Sequence, residues 1–346
     1  MPAPGAGGGA SDAAMNRRSA LGWIAAGAAG LALGRGAVAR AAGQTAAWTP
    51  SGTVRIVVPF AAGGTTDLVA RLLSDRLGKL LGRAVIVDNR VGAGGNIGIA
   101  SVARAPADGH TLLLASTAFL TNPALFIQNP PYDPVRQFAP ISELVSAPDL
   151  IAVRADSPLD SLAALVARAR QQPGALTFAT PGKGNSVHLG GELLWQRAGI
   201  SLLHVPYNGA APAIHAVLGG QVDCALTALP PARALLAAGK LRALAVGSLM
   251  PWPGLPGVPA IAGLGYPGYR SETMQALYAP AGTPGTAIAR LASACAMLLG
   301  EETVRRQAAE MGFAVVAGSP EALARRVADE VPRWARVAAS AKVRAD

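Results

Sequence analysis

The sequence predicts an α/β protein of two lobes, each built on a parallel-rich sheet, with a ligand cleft between them. Three observations lead there. From Thr53 onward, strands of β-branched residues and leucine alternate with helical stretches, the pattern of a sheet covered by helices on both faces. Two such series follow one another, separated by proline-rich stretches. A terminal block, too short to be a third domain, is expected to return and complete the first lobe. The 346-residue length allows two domains. An apolar content of 51% against 14% charged residues supplies a core and excludes a disordered chain.

The chain opens on an address. MNRRSALGWIAAGAAGLAL (15–33) has a basic start and an apolar run, and Ala39-Arg40-Ala41 follows as an A-x-A cleavage site, together an export-signal pattern. The 13 residues from Leu21 to Leu33 make about 20 Å of helix, too short for roughly 30 Å of hydrocarbon. Arg17-Arg18 is compatible with a twin-arginine signal as well as the general secretory route. Residues 1–41 are therefore assigned to the signal and an N-terminal extension, and the mature protein is expected in the periplasm.

The first series runs TVRIVVPF (53–60), then LVARLLSDRLGKLL, whose Leu68, Leu72, Leu73, Leu77 and Leu80 recur at helical spacing. AVIVDN (84–89), the glycine-rich RVGAGGN with its helix, and TLLLAST (111–117) follow. The stretch from Phe119 to Pro140 reads as an ordered connecting loop. The second series gives strands LIAV (150–153), LTFAT (176–180), LLHVPY (202–207), VDCAL (222–226) and LRALAV (241–246), with helices between. The final block holds a strand at MQALYAP, helices over 284–299 and 301–311, the strand FAVV, and a last helix over 320–339. The expected organisation is 50–148 as the first part of lobe one, 149–270 as lobe two, and 271–346 returning to lobe one.

Several function classes fall away. The net charge is +10, yet basic residues do not interleave with aromatics, so nucleic acid is not an expected partner. A modest positive field suits small anions. GAGGNIG (92–98) lacks dinucleotide spacing and there is no Walker motif. The four histidines form no H-x-x-x-H pair and there is no G-x-S-x-G elbow. Cys224 and Cys295 read as small core residues, with a bridge left open. No cofactor or metal is expected.

Ligands of open α/β sheets gather where strands end and helices begin. Four such loops stand out. Phe60, Ala61, Gly63, Gly64, Thr65 and Thr66 form the first, where glycines admit close backbone approach and helix N–H groups can hold an anion; a plain strand-to-helix turn is the alternative. Ser116 and Thr117 form the second, with capping as their other reading. Thr180, Gly182, Lys183, Asn185, Ser186 and His188 form the third, where Lys183 would attract an acid. Tyr207, Asn208 and Gly209 form the fourth, and Asp223 is placed to hydrogen-bond across loops.

Taken in order, IVVPFAAGGTTDLVARLL, VIVDNRVGAGGNIG, VARAPADGHTLLLAS, NPPYDPVRQFAP, HVPYNGAAPAIHAVLGGQVDCAL, GKLRALAV and LYAPAGTP resemble the extracytoplasmic solute receptors of tripartite tricarboxylate transporters, the Bordetella uptake gene (Bug, TctC-like) family. The resemblance spans about 54–334. It implies a type II, Venus-flytrap periplasmic binding protein that closes over a small carboxylated solute and delivers it to integral membrane transporter subunits, with no chemistry of its own. In the family the carboxylate is held by backbone N–H groups, hydroxyls and ordered waters, here from loops 59–67, 116–117, 180–188 and 207–209. Mono-, di- and tricarboxylates and aromatic acids all fit, and a monomer is expected. Thr227 stands where relatives often carry an aspartate, which implies loss of affinity for an amino group. Lys183 stands where many have a small or amide residue, which implies a second acidic group on the solute. Two other readings are a cleft enzyme (hydrolase or NAD-linked) and a ligand sensor for a membrane signalling protein.

Overall fold

A computed structural model describes residues 48–125 and 130–344; the expected export signal lies outside them. The first strands and helices are β1 (Val54–Val58), α1 (Thr65–Leu81), β2 (Val85–Asn89), α2 (Asn96–Ala103), β3 (Thr111–Ser116) and α3 (Ala118–Thr121). Next come β4 (Phe138–Arg154), α4 (Leu162–Gln171), β5 (Thr177–Thr180), α5 (Ser186–Ala198), β6 (Leu203–Pro206), α6 (Ala210–Leu218), β7 (Cys224–Ala228), α7 (Leu229–Ala237) and β8 (Leu241–Val246). The chain closes with β9 (Glu272–Pro280), α8 (Gly285–Gly300), α9 (Glu302–Glu310), β10 (Ala314–Val315) and α10 (Pro320–Ser340).

These strands form one path of two halves. In the first, β2-β1-β3 are parallel, β9 and β4 follow antiparallel, and β10 pairs with β4. In the second, β6-β5-β7 are parallel, and β4 lies antiparallel between β7 and β8. The fold is thus two-lobed α/β, with a parallel trio in each half and a mixed remainder. The long strand β4, 17 residues, is the element the sequence reading cut short. The proline-rich run ending at Pro140 reads as a loop in the sequence, since proline cannot donate to a ladder. The ladder instead shifts register between Pro140 and Ser142 and again between Glu143 and Val145, bulges that absorb the irregularity.

The halves meet inside β4. Pro148 still pairs with Glu272 of β9, whereas Asp149 pairs with Ala228 of β7. Here Asp149 N–H donates to Ser271 O at 3.1 Å, Gly247 N–H to Asp149 O at 2.7 Å, and Ser271 N–H to Gly247 O at 2.9 Å. Only glycine fits at 247, because a Cβ there would lie 2.3 Å from Ser271 O. The buried Asp149 carboxylate accepts from Ser271 Oγ at 2.6 Å and Thr273 Oγ1 at 2.9 Å. Burial raises its pKa to about 6 against the pull of those two bonds. Beside it, Arg326 of α10 pairs with Glu143 of β4, Glu272 of β9 and Glu330.

Cores lie on both faces. In the first half, α1 and α8 pack Leu73, Leu77, Leu291 and Leu298 against Ile56, Leu112 and Leu277. On α1 the buried stripe is Val69, Ala70, Leu73, Leu77 and Leu81; Leu68, expected on that face, is 44% exposed and turns toward the cleft described below. In the second half, α6 and α7 bury Ile214, Val217 and Leu229 against Leu150 and Val246. A third cluster runs along the opposite face and includes Phe119, Tyr278, Phe178, Trp195 and Trp334. Its helix α10 touches β4, α3 and α5, elements of both halves. Cys224 and Cys295 are free thiols in separate clusters, so the bridge left open by the sequence is not formed.

Candidate functional site

A cavity of about 1410 Å³ opens where the parallel trios end, walled by residues from both halves. Its volume exceeds the several hundred Å³ typical of a small-molecule site, as an open cleft would. Several helices open onto it; α5 is capped by the Asn185 side chain, and four others begin without a side-chain cap. The caps are Gly64 for α1, Gly95 for α2, Gly209 for α6 and Ala228 for α7. Glycine suits these positions because it caps with backbone alone, leaving the first N–H groups for a ligand. α7 differs, since Pro230 and Pro231 carry no N–H; it contributes its dipole and few donors.

Each loop is braced from behind. In the first, the buried Asp67 accepts from Gly63 N–H and Arg71 Nε at 2.8 Å each, and from Asn89 Nδ2 at 3.0 Å. Burial works to raise this carboxyl, but the bonds from Arg71, Gly63 and Asn89 outweigh it and hold it below the ordinary aspartate value. Asp67 is thus a brace as well as a first-turn residue. The glycine-rich loop packs against this one: a Cβ on Gly98 would meet Arg90 O at 2.5 Å and Pro59 Cα at 2.9 Å. Asn122 ties it down through Gly94 O at 2.9 Å and Asn96 Oδ1 at 2.8 Å.

In the third loop, Asn185 caps α5 by accepting His188 N–H at 2.8 Å. His188 Nδ1 accepts Gly184 N–H at 2.9 Å, and its ring stacks on His204 at 3.7 Å. His204 Nε2 lies 2.7 Å from Thr180 Oγ1. Burial, with His188 and Lys183 nearby, pushes the His204 imidazole down to about 3. The ionisable residues on the cavity wall, among the described residues, are Lys183, Arg233 and Glu310. Arg233 Nη1 donates to Glu310 O at 2.7 Å, and Arg306 attends the Glu310 carboxylate at 4.0 Å.

Of the residues singled out in the sequence, Phe60, Gly63, Gly64, Thr65, Thr66 and Ser116 lie on the wall, as do Gly182, Lys183, Asn185, Ser186 and Gly209. The others stand off it, for physical reasons. Ala61 is exposed beside the loop, its carbonyl accepting Gly64 N–H. Thr117 Oγ1 is spent on Glu272 O and Met274 N–H, tying β3 to β9. Thr180 and His188 serve the underside of their loop, as described. Tyr207 packs on the second-half core and neither it nor Asn208 joins the wall. Asp223 sits at the opposite ends of the strands, receiving Thr177 N–H at 2.8 Å and Thr177 Oγ1 at 2.7 Å. Thr227, discussed above as a specificity position, does line the cavity.

Residues 69–342 match the model of the tripartite tricarboxylate transporter family receptor. The chain belongs to that family. It is 37% identical over 289 residues to a protein from the tcbD–tcbE intergenic region of Pseudomonas sp. strain P51, covering 83% of this chain and 86% of the relative. It is 36% identical to BugT of Bordetella pertussis, over 83% and 89% of the two chains. Among solved structures, it resembles an R. palustris protein with adipate (36% identity, TM-score 0.76, 85% of this chain and 99% of that one). It likewise resembles MatC of Rhodopseudomonas palustris with bound malate (32% identity, TM-score 0.73, 83% and 99%). Members of this receptor family are periplasmic solute-binding proteins. In this chain no helix among the described residues is long and apolar enough to cross a membrane.

Sequence reasoning missed Arg233, Asn96 and Thr273 on the wall. Asn96 opens α2 right after the glycine loop, and that helix start was a usable signal. Arg233 and Thr273 carried none: one lies a turn inside a helix, the other inside a strand.

Proposed function

We propose that this receptor captures a small carboxylated solute in the cleft and hands it, closed, to the integral membrane subunits of a tripartite transporter. The observation that carries the reading is the convergence of uncapped N-termini of α1, α2 and α6 on one cavity whose walls also bear Lys183 and Arg233. Backbone N–H groups and helix dipoles hold a carboxylate without a buried ion pair. Lys183 then favours a second acidic group, and Thr227 disfavours an ammonium. The adipate and malate of the solved relatives support a diacid.

In this reading 50–148 and 271–346 make one lobe and 149–270 the other, turning about Asp149, Gly247 and Ser271. A solute touching both lobes stabilises the closed form. The protein works as an exported periplasmic monomer after loss of residues 1–41, without cofactor and without catalysis. The test is thermal unfolding of the mature chain against mono-, di- and tricarboxylates, aromatic acids, amino acids and nucleotides. A ligand at 100 times its Kd contributes about 2.7 kcal/mol, several degrees of Tm. A rise confined to carboxylates is expected; a rise with nucleotides and none with acids would overturn the reading.

A further inference from the structure

Among the described residues, one buried amide has no hydrogen-bond partner. Gln275, in the middle of β9, is 0% exposed, and among the described residues neither its Oε1 nor its Nε2 makes a hydrogen bond. Native proteins rarely leave such groups alone, and each one that persists asks for an explanation. Its position supplies one. Side chains alternate along a strand, so Gln275 shares a face with Thr273, which lines the cavity. Its register partner on β3 is Ser116, also on the cavity wall, and cross-strand partners stand on one face of a sheet. The amide therefore lies directly behind the inner wall of the cleft, between two hydroxyl-bearing residues.

Those hydroxyls are already engaged. Thr273 Oγ1 donates to Asp149 at 2.9 Å, and Ser116 Oγ accepts from Ala118 N–H at 3.4 Å. Farther along the same face, Leu277 and Ala279 run into an apolar core. A core residue at 275 would continue that pattern, so an amide there works against stability and implies a use. Thr273 also bonds the pivot aspartate, so closing the lobes rearranges the wall in front of the amide.

We propose that Gln275 is a specificity-determining residue at the inner end of the cleft, and that it reads a hydroxyl group on the solute. The inference rests on the carboxylate-receptor reading and names the class within it: hydroxycarboxylates. A carboxylate alone has only acceptors and would satisfy Nε2 while leaving Oε1 orphaned. A hydroxyl beside a carboxylate offers a donor to Oε1 and an acceptor to Nε2 together. A site built to bond a hydroxyl rejects the analogue that lacks it, because its own polar groups then go unpaired.

Calorimetry with two matched pairs tests this: malate against succinate, and citrate against tricarballylate. The proteins are the wild type, Gln275→Met, which keeps length and shape without the amide, and Gln275→Leu in case methionine disturbs β9. In the wild type the hydroxy acid of at least one pair is expected to bind ten-fold or more tightly than its partner. In the variants that ratio falls at least ten-fold while the partner acid keeps its affinity, and the unliganded variants melt no lower than the wild type. An equal or reversed preference in the wild type overturns the proposal, as does a ratio that survives in the variants. A variant that melts several degrees lower with its ratio intact assigns the amide to a structural water instead. If no acid of any kind binds the wild type, the carboxylate reading itself has failed, a result separable from loss of the hydroxyl preference alone.

Discussion

The loops after β1 and β5 hold matching places in the two halves, each leaving the middle strand of a parallel trio and opening a helix onto the same cavity. They are finished in opposite ways. α1 begins at Gly64 with no side-chain cap, and its brace is an acid, Asp67, bonded from behind to Gly63 and Arg71. α5 begins at Asn185, whose own side chain takes up His188 N–H, and its brace is a pair of stacked imidazoles. One loop thus keeps its helix donors free for a ligand and the other uses them internally, offering the Lys183 charge instead. On the proposed reading these two loops divide the work: free backbone donors from one, side-chain charge from the other.

The sharpest way to break this contrast is to cap the uncapped end. Gly64→Asp puts an acceptor and a negative charge where the ligand's carboxylate would sit. A Cβ at 64 meets Ala61 O at 3.2 Å, so the loop has to give slightly. Affinity for every carboxylate is expected to fall by about 100-fold or more, while Tm changes little because glycine and aspartate caps differ by only a few tenths of a kcal/mol. Calorimetry that found affinity unchanged would remove α1 from the site.

Lys183→Ala is the next largest. Roughly ten-fold weaker binding of diacids, with monoacids little affected, is the expected result of losing one charge near a solvated carboxylate. Equal losses for both classes would mean the lysine attracts any anion and selects none. Asn185→Ala should act on stability first, lowering it by about 1 kcal/mol, or a few degrees of Tm. Unchanged Tm would show the cap to be redundant beside His188.

The smallest effect is a slope with pH. The unfolded imidazole titrates near 6.5, whereas His204 in the fold is held down to about 3 by burial and by the neighbouring His188 and Lys183. Between those values the unfolded chain binds a proton that the folded chain refuses, so this residue makes stability fall as pH falls. His204→Asn should therefore lose less Tm than the wild type between pH 7 and pH 5. Parallel curves would show that the stacked pair does not oppose protonation.

Much of this frame could be read from residues alone, and the gaps have physical causes. Strand and helix periods placed β1–β3, β5–β8 and most helices within a few residues, because these strands are short runs rich in β-branched residues and leucine set between helical stretches. The first half of β4 escaped because its prolines mimic a loop, and only bulged pairing with β9 accommodates them. In the candidate site, glycine- and hydroxyl-rich loops after strands marked stretches that line the cavity. Sequence could not separate Ser116 from Thr117, adjacent residues that a pleated strand end sends in different directions. Nor could it tell that His188 and Thr180 face the loop's underside, or that Asp223 stands at the far end of its strand. Gln275 gave no signal at all, since a single amide in an apolar strand becomes conspicuous only once its neighbours are known.

The place of β9 also sets an order of events as the chain folds. It lies between β3 and β4, so Leu113 pairs with Tyr278 across a long excursion, while residues of β4 through β8 find one another nearer by. Closing the longer loop costs more chain entropy and is met later. The half built from β4 to β8 can assemble first, and the half containing β1 waits with an unpaired β3 edge until β9 arrives. Until then the Ser116 wall of the cavity lacks its neighbour on β9, and on the proposed reading solute binding waits for that last pairing.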